Sequence, residues 1–104
     1  MPIFSDSELI SKLIEGTQES RVDWQKTAME DQYAVSVGGK WTVVIDKAPK
    51  SESFWLDLKN SEGEDILTIY DSDDSRIGLL FHLAKRHALK VNDAIADLIK
   101  ELEK

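Results

Sequence analysis

Two groups of residues in this chain have the clearest capacity for chemistry: a cluster of three aspartates, and two histidines that follow it in the sequence. Asp71, Asp73 and Asp74 resemble the start of an oxygen-ligand loop for a cation. The glycine and glutamate that an EF-hand requires at its sixth and twelfth positions are replaced by Arg76 and His82. Carboxylates just before a helix can also cap its N-terminus, and capping is the role that we predict for these aspartates. The alternative is a Mg²⁺ site, since one or two protein carboxylates suffice as ligands for that ion.

The two histidines do not form an evident metal or catalytic motif. His82 and His87 lie on a predicted helix with an angular separation of about 140°, which prevents both from binding one metal unless the helix breaks. The chain has no cysteine, no Gly-x-Ser-x-Gly motif, no phosphate-binding loop and no dinucleotide fingerprint. We predict no catalytic residue, cofactor or metal. The alternative is an enzyme or small-ligand-binding protein with a pocket near residues 71–74, His82 and His87.

The strongest functional signal is a basic stripe on a predicted C-terminal helix. Residues 1–75 contain 16 acidic and 7 basic residues, whereas no acid occurs between Asp74 and Asp93. One exposed face of that helix would carry the residues that we predict as an interface: Leu79, His82, Lys85, Arg86, Leu89 and Lys90. The prediction is a non-enzymatic protein-protein interaction module that binds a protein partner or forms a homodimer. A solvated helix face is the alternative.

Composition restricts the class of protein. The 104 residues suffice for one domain (1–104), and 41% of them are hydrophobic. The formal charge of −7 disfavours nucleic acid as a partner, because like charges repel. No segment reaches the roughly 20 apolar residues that span a bilayer, and the N-terminus lacks the pattern of a secretory signal. We therefore expect an acidic cytoplasmic protein without a membrane segment.

The N-terminal residues predict a short amphipathic helix. Ser5 and Glu8 have the spacing of a capping box, and Phe4 and Leu9 occupy the positions of a hydrophobic staple. Gly16 is a natural stop near the end of this helix.

The middle of the chain predicts an antiparallel meander of about four strands. Around Gly38 and Gly39, a three-residue loop would pair Val37 with Trp41 and keep one apolar face continuous. A second hairpin turns at residues 60–63, and we expect it to place Leu56 opposite Thr68.

The C-terminal quarter predicts a long helix, or two helices broken near Lys90 with Asn92 as the second cap. Its apolar residues recur at helical spacing and predict one buried face: Ile77, Leu80, Ala84, Val91, Ile95, Leu98 and Leu102. A strand followed by two helices is also the order of a ribbon-helix-helix DNA binder, which the acidic residues flanking the strand disfavour.

Together these elements predict an α+β domain, in which the N-terminal helix and the C-terminal helical segment pack on one face of the antiparallel sheet. We expect the core to include Trp24, Val35, Trp41, Val43, Leu56 and Leu80.

Two stretches also suggest a relationship. Val22-Asp23-Trp24-Gln25-Lys26-Thr27 and Ala84-Lys85-Arg86-His87-Ala88-Leu89 resemble segments of a group of small uncharacterised bacterial proteins. The resemblance implies the same order of helix, antiparallel strands and C-terminal helical segment. It implies no activity and no catalytic or binding residue.

Overall fold

A computed structural model describes residues 5–104 as an N-terminal helix, a five-stranded antiparallel sheet and two C-terminal helices. The elements in chain order are α1 (Asp6–Gln18), β1 (Gln25–Lys26), β2 (Gln32–Val37), β3 (Trp41–Lys47), β4 (Phe54–Lys59), β5 (Asp65–Tyr70), α2 (Arg76–Ala88) and α3 (Val91–Leu102). The strands follow one another in the sheet in chain order. The predicted α+β class and antiparallel meander are therefore confirmed, with the short β1 as a fifth strand.

The core lies between one sheet face and the helices α1 and α2. Trp24 is fully buried, and its indole Nε1 donates a hydrogen bond of 2.8 Å to Thr17 Oγ1. The Thr17 hydroxyl donates in turn to the Leu13 carbonyl at 2.7 Å. This chain of hydrogen bonds lets a Trp and a Thr be buried without an unpaired polar atom.

The predicted core is correct at five of its six positions. The five buried residues are Trp24, Val35, Val43, Leu56 and Leu80. Trp41 is wrong: its side chain is 39% exposed. It is the first residue of β3, directly after the β2–β3 turn, where it borders a groove that is open to solvent.

Helix α1 begins as predicted and ends later than predicted. Ser5 Oγ accepts a hydrogen bond of 3.1 Å from the Glu8 amide, which is half of the expected capping box. Gly16 does not end the helix, which continues to Gln18. Its lack of a side chain serves packing instead, because a Cβ there would lie 2.6 Å from Val22 Cγ2. The predicted staple residue Phe4 lies outside the described residues.

Both predicted hairpin turns form. Val37 pairs with Trp41 across the Gly38–Gly39 turn, and both glycines have positive φ angles of 66° and 72°. In the β4–β5 turn, the Gly63 amide donates to the Asn60 carbonyl at 3.0 Å, and Gly63 has a φ of 81°. Glycine adopts this left-handed conformation without steric cost, which is why the glycines at these positions predicted both turns.

The register of the second hairpin differs from the prediction by one residue. Leu56 pairs with Ile69 rather than with Thr68, and Leu58 pairs with Leu67. A bulge next to Leu58 shifts the alignment. The shift places the apolar residues of both strands on the core face, which a regular pairing from the turn would not do.

The second face of the sheet is largely open. Tyr70 is 52% exposed there, while its cross-strand neighbour Trp55 is half-buried. Gln32 Nε2 donates to Asp46 Oδ1 at 2.9 Å across the β2–β3 pair. Cross-strand hydrogen bonds of this kind satisfy polar groups on an exposed sheet face without a partner.

The C-terminal segment is broken at Lys90, which has a φ of 54°. The segment therefore consists of two helices and packs on the sheet through α2. For a broken segment we expected Asn92 to cap α3, and it does not. Its Oδ1 instead accepts hydrogen bonds from Arg86 Nε at 3.1 Å and Nη2 at 2.8 Å, so a side-chain pair spans the break.

Candidate interaction surface

The predicted interface lies on the outward side of α2 and at the break that follows it. α2 buries Ile77, Leu80, Phe81 and Ala84 on its inner side. All six predicted interface residues are exposed: Leu79, His82, Lys85, Arg86, Leu89 and Lys90. The two leucines are 49% and 45% exposed. The structure thus brings two large apolar side chains and three basic residues together on the surface of one segment.

The aspartates before α2 make structural hydrogen bonds. Asp74 Oδ1 accepts from the Arg76 amide and from Arg76 Nε, both at 3.0 Å, and Oδ2 accepts from Nη2 at 2.7 Å. Hydrogen bonding to Arg76 holds the pKa of the Asp74 carboxyl below its ordinary value. The guanidinium also donates to Ser11 Oγ at 2.6 Å and to Ser7 Oγ at 2.8 Å. This cluster therefore fixes the start of α2 against α1.

The two histidines have different environments. His87 is half-buried, and its Nε2 lies 3.0 Å from Asp23 Oδ1. His82 is exposed, and its ring contacts the edges of Phe54 and Phe81 with centroid separations of 5.6 Å. The fold brings a carboxylate to His87 from the segment before β1, a contact for which the sequence offers no local signal.

A polar cleft of about 330 Å³ lies beside His87. Its polar lining includes Ser20, Asp23, Arg86, His87, Lys90 and Asp93. The aspartates at 71–74 stand at the other end of α2, about 16 Å away along the helix axis. The structure thus separates the two groups of residues that the alternative prediction combined in one pocket.

The most exposed apolar surface belongs to α3. This helix is described in full, and it has no buried side chain. Four large apolar residues on one side of it are between 42% and 74% exposed: Ile95, Leu98, Ile99 and Leu102. The predicted burial is therefore wrong for Ile95, Leu98 and Leu102, whereas Val91 is half-buried. The break at Lys90 redirects the chain, so that the apolar side of α3 does not continue the buried side of α2.

The overall shape reflects the projection of α3. The molecule measures 57 × 33 × 25 Å, and its radius of gyration is 15.1 Å. A compact domain of this length has a radius of gyration of about 13 Å. Within residues 5–104, α3 makes its main contact with α2. The helix is therefore attached mainly through its neighbour in sequence.

A second exposed apolar surface is a groove of about 290 Å³ between α1 and the turn ends of the sheet. It is lined by Leu9, Leu13, Val37, Trp41, Val43, Leu58 and Ile66. The groove explains the exposure of Trp41. Sequence reasoning missed it because strict alternation along β3 assigns Trp41 to the core without showing how far the helices extend.

The part of the chain that the structure describes offers neither a membrane-spanning helix nor a metal-binding cluster. Among residues 5–104, none of the helices combines the length and the apolar character needed to cross a membrane. In the same part of the chain, no three His, Asp or Glu side chains are grouped so that they could hold a metal ion. No protein-family model, curated protein or solved structure matches the chain. The resemblance to small bacterial proteins therefore stays a prediction, and a function has to be argued from the surface.

Proposed function

We propose that this chain is a cytoplasmic protein-protein interaction module without enzymatic activity. Its contact surface, called here the C-terminal surface, consists of the outward residues of α2 between Leu79 and Lys90 and the apolar side of α3. The observation that supports the proposal is the exposure of four large apolar side chains on one side of α3.

The exposure of α3 carries a free-energy argument. Covering a large apolar side chain is favourable by about 1.5–3 kcal/mol. An isolated helix of about 12 residues is marginal in water, because helices gain most of their stability from packing an amphipathic side. A partner that covers α3 would therefore gain apolar burial and also stabilise the helix itself. Large contiguous apolar patches on soluble proteins commonly mark interaction sites.

The outward residues of α2 add a charge preference to this surface. Lys85, Arg86 and Lys90 are exposed beside Leu79 and Leu89. Arginine and large apolar side chains recur in protein interfaces, and complementary charge steers encounter and selects partners. The surface thus suits a partner with an apolar strip and flanking acidic groups. The net charge of −7 supports a protein rather than a nucleic acid in this role.

The test compares two variants of α3 that introduce the same charge. Leu98→Glu places a carboxylate on the apolar side, whereas Ala96→Glu places it on another exposed side of the same helix. Because neither residue is buried, both variants should keep the fold, checked by circular dichroism and thermal unfolding. We expect Leu98→Glu, but not Ala96→Glu, to lose association, measured as sedimentation of the purified protein and as quantitative capture of proteins from a lysate of the source cells.

The proposal fails if both variants match the wild type in sedimentation and in the set of captured proteins. It also fails if Ala96→Glu loses association as completely as Leu98→Glu, since the effect would then be one of charge and not of the apolar side.

The second candidate is a small-ligand-binding protein or an enzyme that uses the cleft beside His87. The specific observation in its favour is the 3.0 Å contact between His87 Nε2 and Asp23 Oδ1 at a polar cavity. A carboxylate partner orients an imidazole for proton transfer or for ligand binding. Titration with phosphate and with small carboxylic acids, followed by NMR, should give saturable shifts at Asp23 and Asn92 that His87→Ala removes. Shifts that remain linear in ligand concentration would contradict this candidate.

A further inference from the structure

We propose that the partner of the C-terminal surface is a second copy of this chain, in which α3 of each copy packs along the outward side of α2 of the other. This inference rests on the proposed function and adds the identity of the partner and the pairing of the helices. Two observations support it: the opposite charges of the two helical segments and the spacing of their exposed residues. Two-fold symmetry would then double the contact area.

The two helical segments carry charges of opposite sign. Residues 77–90 contain three basic residues and no acid, so their formal charge is +3, while the charge of Arg76 is paired with Asp74. Residues 91–104 contain four acids and two lysines, so their formal charge is −2. Pairing α3 with α2 of another copy brings opposite charges together, whereas pairing α3 with α3 brings two negative segments together. Charge complementarity therefore selects the α3–α2 arrangement.

The acidic residues of α3 follow a regular pattern. Asp93, Asp97 and Glu101 recur every four residues along α3. At about 100° per residue, Glu101 lies beside the apolar side, about 60° from Leu98, whereas Asp93 lies on the opposite side of the helix. On the outward side of α2, Arg86 lies between the exposed Leu79 and Leu89, and the exposed Lys85 lies beside Leu89. An α3 helix whose apolar residues contact Leu79 and Leu89 would therefore bring the Glu101 carboxylate to the basic side chains of α2.

The exposed residues of both helices have the spacing of paired helices. Residues 79, 82, 86 and 89 are separated by three, four and three positions, and residues 95, 98 and 102 by three and four. Alternation of three and four is the pattern with which two helices pack side by side. In α2 the two inner positions are His82 and Arg86, and polar residues at such positions set the register and the choice of partner.

Two-fold symmetry would double the area of contact between the two copies. A helix of 12 residues is about 18 Å long, so one α3–α2 contact is small beside the roughly 800 Å² that each partner buries in a standard interface. In a symmetric dimer the contact occurs twice, because each copy gives one α3 and receives another. The exposed apolar residues of both helices would be covered in one assembly.

A charge-exchange experiment on the full chain tests the inference. Arg86→Glu, Glu101→Arg and the double variant are compared with the wild type by sedimentation equilibrium over a range of protein and salt concentrations. We expect a wild-type dimer whose dissociation constant rises with salt. Each single variant should weaken the dimer by at least about tenfold, since it opposes like charges in both contacts. The double variant should return to within about threefold of the wild type.

Two controls separate the intermolecular contact from other effects of these changes. Asn92→Ala removes the acceptor of the Arg86 side chain within one chain and leaves the charge unchanged, so the dimer should persist. Lys50→Glu makes the same change in net charge as Arg86→Glu at an exposed site in the segment before β4, and its dimer should also persist. Circular dichroism shows whether each variant is folded.

Several results would overturn the inference. One is a wild-type protein that remains monomeric up to about 1 mM, and the proposed function would then still be decided by the Leu98→Glu comparison. Another is a dimer that persists in Arg86→Glu but dissociates in Trp41→Asp. In that case α3 would occupy the apolar groove beside Trp41 in the second copy, and not the outward side of α2. A double variant no stronger than the single variants would refute the pairing of Arg86 with Glu101.

Discussion

α2 and α3 are consecutive helices of 13 and 12 residues with similar apolar spacing, yet their packing is opposite. α2 buries four side chains in the core. None of the residues of α3, all of them described, is buried. The comparison teaches that an apolar stripe on a helix indicates the presence of a partner but does not identify it. For α2 the partner is the sheet of the same chain, and for α3 we propose that it is another molecule.

The difference has a local cause at the start and at the end of α2. Near its start α2 packs directly on β4, since even a Cβ on Gly78 would already be in van der Waals contact, at 3.4 Å, with the Phe54 ring. Phe81 then packs against Tyr33 and Phe54, with ring centroids 5.6 and 5.1 Å apart. The left-handed conformation of Lys90 ends this path over the sheet. α3 begins with a new direction and has no such contacts.

The largest expected effect concerns the buried side of α2. Leu80→Ala should lower the free energy of unfolding by about 2–5 kcal/mol, because Leu80 is fully buried and its truncation leaves a cavity. The adjacent exposed residue gives a matched control: Leu79→Ala should change the stability of the dilute protein by less than about 0.5 kcal/mol. Urea denaturation measures both. Equal losses for the two variants would contradict the assigned orientation of α2.

An intermediate effect is expected when α3 is removed. Ending the chain after Val91 should lower the free energy of unfolding of the dilute protein by no more than about 1 kcal/mol, since only exposed side chains are lost. The amide NMR spectrum of residues 5–80 should stay nearly unchanged. A truncated chain that is unfolded, or that loses several kcal/mol at low protein concentration, would show that α3 stabilises its own domain.

The smallest effect concerns the sheet, which also has one face buried in the core and one face open to solvent. Asp46 lies on the open face, yet partial burial raises the pKa of its carboxyl, and the nearby Asp57 raises it further. A raised pKa means that the folded state binds the proton more tightly, so the favourable contribution is present at low pH and lost as the pH rises through the folded pKa.

Asp46→Asn should therefore stabilise the protein at pH 7 by about 0.5 kcal/mol, because the amide keeps an oxygen for Gln32 and removes the charge. The advantage should shrink as the pH falls through this raised pKa and be lost below about pH 4, the ordinary pKa of an aspartate, where the wild-type carboxyl is protonated in the folded and unfolded states. Glu52→Gln removes one exposed negative charge and controls for the net charge. Urea denaturation at both pH values decides the matter, and a variant less stable than the wild type at pH 7 would contradict the assigned burial.

The fold was largely predictable because its signals are local. Ser5 specifies a helix start, and the glycines at 38, 39 and 63 specify turns through backbone conformations that other residues avoid. The register of the first hairpin followed from keeping one apolar face. The register of the second did not, because the turn residues carry no signal for the bulge next to Leu58.

The candidate site was predictable only in part. The exposed basic stripe on α2 follows from helical periodicity and charge, so its residues could be named in advance. The direction of α3 depends on the backbone of a single residue, Lys90, and lysine has no special tendency toward a left-handed conformation. The same periodicity therefore predicted burial for Ile95 and Leu98, which the structure shows to be exposed.

The most direct test of this account is amide hydrogen exchange of α2 and α3, measured on the wild-type protein at a low and a high concentration. We expect the buried side of α2 to exchange slowly at both concentrations, and α3 to exchange rapidly when dilute and more slowly when concentrated, as a second copy covers it. If α3 is as strongly protected as α2 in the dilute protein, its partner lies within its own chain and the account is wrong.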